Sequence, residues 1–121
     1  MNEKKYNLEE RLIDFAVAII NLVETLPNTK SANHLGGQLL RSGTSPSLNY
    51  GEARSAESQN DFIHKMKVCL KELRESYNCL RILQRAKIYV SEEQVQSLII
   101  VCNELIAIFV KSISTASTKK K

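Results

Sequence analysis

The chain has 121 residues, 43% of them hydrophobic, with only four glycines and two prolines. That is enough apolar material for one domain core, and it excludes a disordered or low-complexity chain. Seventeen basic residues against thirteen acidic ones leave a net charge of +4, which permits contact with an anionic partner but excludes a histone-like polycation.

The opening MNEKKYNLEER is charged, and the apolar run Phe15 to Ile20 behind it is short and soon broken. It fits neither a signal peptide nor a membrane span, so the expectation is a cytoplasmic protein with no membrane partner. Leu8, Leu12, Phe15, Ile19, Val23 and Leu26 recur at helical spacing behind Asn7, an N-cap residue, and Pro27 stops the run. This predicts the first helix.

A second helical segment spans about Ser31 to Ser55, with Leu35, Leu39, Leu40, Leu48 and Ala53 as its apolar positions. Pro46 lacks a backbone donor and crowds the preceding turn, so Ser42-Gly43-Thr44-Ser45-Pro46 predicts a kink or a break there. The hydroxyls of Ser42, Thr44 and Ser45 are candidates to satisfy the freed carbonyls.

Ser58 with Asp61 three residues on resembles a capping box and opens a third helix over 58–86. Its core face is Phe62, Met66, Leu70, Leu73, Tyr77 and Leu80. Ser91 with Gln94 repeats that pattern and starts a fourth helix ending near Ser114. Four helices joined by short turns predict an all-α fold, an antiparallel up-down four-helix bundle over residues 1–116, with 117–121 as a disordered basic tail.

Charge is concentrated in the middle of the chain: residues 41–90 hold nine basic and five acidic residues, whereas residues 1–40 hold four and five. Within that region Lys67, Lys71, Arg74, Arg81 and Arg85, with Asn78 in the gap, follow steps of three and four and share one face of the third helix. They are the candidate nucleic-acid-binding residues, with Lys119, Lys120 and Lys121 as an auxiliary. No aromatic ladder accompanies them, so the contact expected is to phosphates and not to stacked bases. The competing reading is a solvated face supported by within-helix pairs such as Lys71 with Glu75.

Asn49 and Glu52 on the second helix, and Glu72 and Glu75 on the third, form two polar pairs at i, i+3. They are the candidates for a structural polar network, with Asn49, Arg54 or a neighbouring subunit as partners for the glutamates. Asp61 and His64 share the spacing of one metal-binding half-motif, but a di-metal bundle site needs two such motifs and two further glutamates. Serines and threonines fall at caps and tails, Arg54 and His64 are too far apart for a ribonuclease pair, and no phosphate-binding glycine loop is present. The chain therefore reads as non-enzymatic, with neither metal nor cofactor.

Cys69, Cys79 and Cys102 form no CxxC pair, and ten helical residues separate the first two by about 15 Å, beyond disulfide reach. They read as small core residues in a reducing compartment. The fourth helix carries more apolar surface than one bundle covers: Ile99, Ile106 and Val110 widen its core stripe on one side, Val101 and Ile108 on the other, and Ile100 and Ala107 reach its far side. Phe15 to Ile20 repeats the pattern on the first helix. Self-association is the expectation.

Leu39-Leu40-Arg41-Ser42-Gly43-Thr44-Ser45, Asn49-Tyr50-Gly51-Glu52-Ala53, Asp61-Phe62-Ile63-His64-Lys65 and Leu70-Lys71-Glu72 together resemble the bacterial four-helix-bundle proteins of the 23S ribosomal RNA intervening-sequence family. The resemblance implies a bundle assembled into a homo-oligomeric ring, a pentamer in known members, with a central channel. The family takes its name from genes inside ribosomal RNA insertions, and related bundles accompany diversity-generating reverse transcriptases as basic accessory rings. Where members often carry a tryptophan after the third-helix glutamates, this chain has Cys79, with Asn78 beside it. The expected partners are the chain itself and RNA or DNA; the alternative is a scaffold for an acidic or polymerase partner protein, with incidental nucleic-acid affinity.

Overall fold

The computed structural model describes residues 7–119, and every described element is helical: α1 (Leu8–Glu24), α2 (Lys30–Arg54), α3 (Gln59–Arg85) and α4 (Glu92–Lys119). Each start is set by a short polar side chain that satisfies an otherwise orphaned amide. Asn7 accepts from the Glu10 N–H, Thr29 from Ala32, Ser58 from Asp61 and Ser91 from Gln94. α3 closes through Lys87, whose φ of 60° is left-handed, and the Ile88 N–H returns to the Leu83 carbonyl at 2.9 Å.

Contacts across the seams fix the topology. Arg54 reaches Glu9 between α1 and α2, Lys65 reaches Glu52 between α2 and α3, Gln59 reaches the Ala116 carbonyl between α3 and α4, and Arg11 reaches Glu104 between α1 and α4. In each seam one chain number rises as the other falls, so neighbours run antiparallel and the four helices close a ring around one core. Leu12, Phe15, Ile19, Leu22, Leu39, Met66, Leu73, Leu80, Leu83, Val95, Leu105 and Phe109 fill it. Most core positions expected at 3.6-residue spacing point inward, because that periodicity places one stripe per helix toward the axis. Leu40 and Leu48 of α2 do not: they lie off the Leu39–Ser42–Gly43–Pro46–Ala53 face that packs inside and are exposed, Leu48 by 71%.

Two expectations need correction. α2 does not break at Pro46; it runs as one α-helix from Lys30 to Arg54. Ser42, Gly43 and Pro46 are all buried between α1 and α3, and this packing outweighs the lost hydrogen bond. The Thr44 hydroxyl donates to the Leu40 carbonyl at 2.8 Å, whereas Ser45 accepts from Asn49 instead of capping a carbonyl. Ser42 and Ser76 meet hydroxyl to hydroxyl at 2.8 Å across the same seam, and Ser76 also donates to the Glu72 carbonyl, so neither buried oxygen is orphaned.

The second correction is the end of α4. It continues to Lys119, so Ser117, Thr118 and Lys119 are helical, with the Thr118 hydroxyl donating to the Ser114 carbonyl at 3.0 Å. Lys120 and Lys121 lie outside the described residues. By length and composition alone α4 is also apolar enough to cross a membrane. Cys102, Leu105 and Phe109 nevertheless sit buried against the other helices, while Ile100 and Val110 remain exposed.

Candidate nucleic-acid interface

α3 presents Lys67, Lys71, Arg74, Asn78 and Arg85 to solvent and Arg81 half-exposed along one face. From Lys67 to Arg85 the stripe covers about 27 Å of helix axis. The α3 residues on the opposite side, Met66, Leu73 and Leu80, are sealed in the core, so the core fixes the helix's rotation and the stripe's direction together. Arg81 lies over the Tyr77 ring, 5.4 Å from its centroid, which holds the guanidinium against the surface.

Ion pairing separates the cations at the helix seams from those of the stripe, while Lys30, Lys87, Lys111 and Lys119 elsewhere are also unpaired among the described residues. Arg11, Arg41, Arg54 and Lys65 are spent on Glu104, on Glu72 and Glu75, on Glu9 and on Glu52 respectively. None of the five stripe cations forms an ion pair among the described residues. The expected Lys71–Glu75 pair is absent because Arg41 of α2 takes Glu75. The stripe therefore keeps its full positive field.

The four polar-network candidates do not form one network. Glu72 and Glu75 are bridged by the Arg41 guanidinium, 3.1 Å from Glu72. Asn49 turns back to the Ser45 hydroxyl and carbonyl of its own helix, and Glu52 accepts from Lys65, whose ammonium pKa is raised first by that hydrogen bond. Arg41 is the residue that sequence reasoning missed as a partner. Its signal was its place one residue before Ser42, on the side of α2 that meets α3.

Asp61 is committed to the α3 start, where its carboxylate accepts from the Glu57 N–H at 3.3 Å, and His64 is exposed. Among the described residues no three His, Cys, Asp or Glu side chains stand close enough to hold a metal ion.

The three thiols are buried. Burial pushes Cys69 and Cys102 up from 9.0 to about 12 and raises Cys79 as well, which leaves little thiolate for nucleophilic work at neutral pH. Above pH 9.0 the unfolded chain sheds thiol protons that the folded protein retains up to about 12, so stability falls as pH rises through that window and is untouched below it. Urea unfolding under reductant is expected to show a loss of about 1 kcal/mol from each of Cys69 and Cys102 between roughly pH 8 and pH 10. Cys102→Val should remove one thiol's share; an unchanged slope would show that Cys102 is not a source of it.

The comparisons agree with this architecture. The family model described as 23S rRNA-intervening sequence protein matches residues 4–111. The chain belongs to that family. A solved relative, a protein of unknown function from the S23 ribosomal protein family of Bacteroides thetaiotaomicron VPI-5482, is 35% identical with a TM-score of 0.79, over 87% of this chain and 96% of that one. No curated protein matches the chain. Membership in the intervening-sequence family fixes the helical architecture but not the activity, since the solved relative is itself described as of unknown function.

Proposed function

We propose that this intervening-sequence family protein is a non-enzymatic, cytoplasmic, ring-forming bundle, a homopentamer as in known members, that associates with RNA or DNA through Lys67, Lys71, Arg74, Arg81 and Arg85. One observation carries this reading: five cations aligned along one face of α3 are left unpaired, whereas the cations at the helix seams are neutralised by acids. A stripe of about 27 Å spans several phosphates, and without an aromatic ladder it favours backbone contact over base readout.

Five phosphate contacts predict that affinity for labelled structured RNA falls about 10²- to 10³-fold between 50 and 200 mM salt. The triple variant Lys71→Glu, Arg74→Glu, Arg81→Glu is expected to lose at least tenfold at low salt and to flatten the salt slope. Binding indifferent to those reversals would overturn the assignment. Single-stranded and duplex DNA run alongside identify the preferred nucleic acid.

A second reading rests on a different observation. Asn78, Arg81 and Arg85 surround the half-exposed Ile82 in a shallow depression of about 270 Å³, an apolar floor with a cationic rim suited to an acidic protein such as a polymerase partner. Retrieval of one such protein after nuclease treatment, with loss of retrieval on Ile82→Asp, would favour the scaffold over the nucleic-acid reading.

A further inference from the structure

α1 is the shortest helix, 17 residues against 28 in α4. Its position along α4 is fixed by Arg11 on Glu104, and the α4 residues after Lys111 run on toward the end where α3 begins, as Gln59 bound to the Ala116 carbonyl shows. At that end, past the level of the start of α1, the α3–α4 seam carries a groove of about 750 Å³, open among the described residues. Phe62, Ala107, Ile108 and Ala116 give it an apolar lining, and Lys111 and Lys119 are its only charged lining residues.

The same chain presents a helix with the matching chemistry. On the outer side of α1, Ile13, Val17 and Ile20 are 40%, 49% and 40% exposed, spaced i, i+4, i+7 as a single apolar ridge. Acids flank it: Asp14 and Glu24 are exposed and enter no ion pair among the described residues. Ten residues, about 15 Å along the axis, separate those two carboxylates, and eight residues, about 12 Å, separate Lys111 from Lys119. Ridge and groove are both apolar, of comparable length, and opposite in charge.

We infer that the groove at the α3–α4 end receives the Ile13-Val17-Ile20 ridge of α1 from a second copy of this chain. Donor and acceptor surfaces are different patches of one protomer, so the contact is heterologous and propagates head to tail, closing a ring when the rotation permits. It rests on the ring reading above and supplies that ring with its interface. It is a helix-in-groove contact, with the aliphatic ridge burying against Phe62 and Ala107 and the lysines meeting the acidic edge.

The test uses the full chain and two substitutions at exposed positions. Val17→Asp spoils the ridge and leaves the groove; Ala107→Trp fills the groove and leaves the ridge. Light scattering on a sizing column is expected to give an oligomer for the unmodified protein and a monomer for each variant, with circular dichroism melts confirming that both fold. Mixing the two variants is expected to restore contact once, giving a dimer and nothing larger, because only one intact ridge and one intact groove remain to meet. Ile13→Asp in place of Val17→Asp should behave the same way.

An oligomer whose mass neither substitution changes, or variants that fail to pair on mixing, would overturn this interface while leaving the ring itself standing. A monomeric unmodified protein would remove both, including the case in which deleting residues 1–6 restores assembly and so identifies the chain's own first residues as the groove's occupant. Neither substitution touches the α3 cations, so RNA affinity measured on the same samples reports separately on the phosphate-binding stripe.

Discussion

Phe109→Ala is expected to lower the free energy of unfolding by about 3–5 kcal/mol, the range for deleting a buried aromatic side chain. Phe109 is completely buried on α4, where the Tyr50 ring of α2 meets it edge to face, 6.1 Å between centroids at 74°. It thus packs diagonally across the core, linking two helices that share no seam. Truncation removes both the transfer energy of the ring and its aromatic contact, and leaves a cavity that four helices tied at both ends cannot collapse. For a domain of this size the whole stability is of order 5–15 kcal/mol, so the urea midpoint should fall by a large fraction of its value. A loss near 1 kcal/mol would mean that the bundle repacks freely around the site, and the core would then be far less rigid than the packing indicates.

Gly43→Val is the second large effect, about 3 kcal/mol, and its sign depends on one contact. A Cβ at Gly43 would stand 2.8 Å from both the Cγ1 and Cγ2 atoms of Ile19 and 3.1 Å from its Cβ. Ile19 is fully buried and branched at Cβ, so it cannot swing away without opening the core. The two methyls of valine then have no volume to enter, and overpacking outweighs the gain in helix propensity on leaving glycine. Gly37, six residues earlier on the same helix, has nothing within 4 Å of its hypothetical Cβ. Gly37→Ala is therefore expected to stabilise by about 0.5–1 kcal/mol. Chemical denaturation of the two variants beside the unmodified protein decides the matter: if both shifted in the same direction, close approach of α1 and α2 at Gly43 would not be the operative constraint. Shortening Ile19 to alanine should recover part of the loss in the double variant, since the two positions are in contact.

What was readable in advance follows from how local each determinant is. Asn7, Ser58 and Ser91 act on amides three residues away, so the helix starts they set are legible from sequence spacing alone. The alignment of Lys67, Lys71, Arg74, Arg81 and Arg85 on one face is likewise a consequence of helical period. Pro46 misled for a definable reason: the intrinsic cost of an internal proline is local, while the packing of Ser42, Gly43 and Pro46 between α1 and α3 that outweighs it is not. α4 outlasts its expected end near Ser114 because serines and threonines from 114 onward lower helix propensity without forbidding a helix.

The site divides the same way. By itself the sequence determined the four amphipathic stripes, the all-α fold, most core positions and the existence of a cationic face, all properties of periodicity and composition. Leu40 and Leu48 are exposed because neighbouring helices, not apolar character, decide which side of α2 is covered. Only the tertiary structure decided which charges stay free, because pairing is set by which helices lie side by side: Arg41 of α2 is delivered to Glu72 and Glu75 of α3, Lys65 to Glu52 and Arg54 to Glu9, and Lys71 is left without its expected acid. The groove beside α4 is of that kind as well, since it joins Gln59 and Phe62 at the start of α3 to residues near the end of α4, a relation between elements that no window of sequence contains.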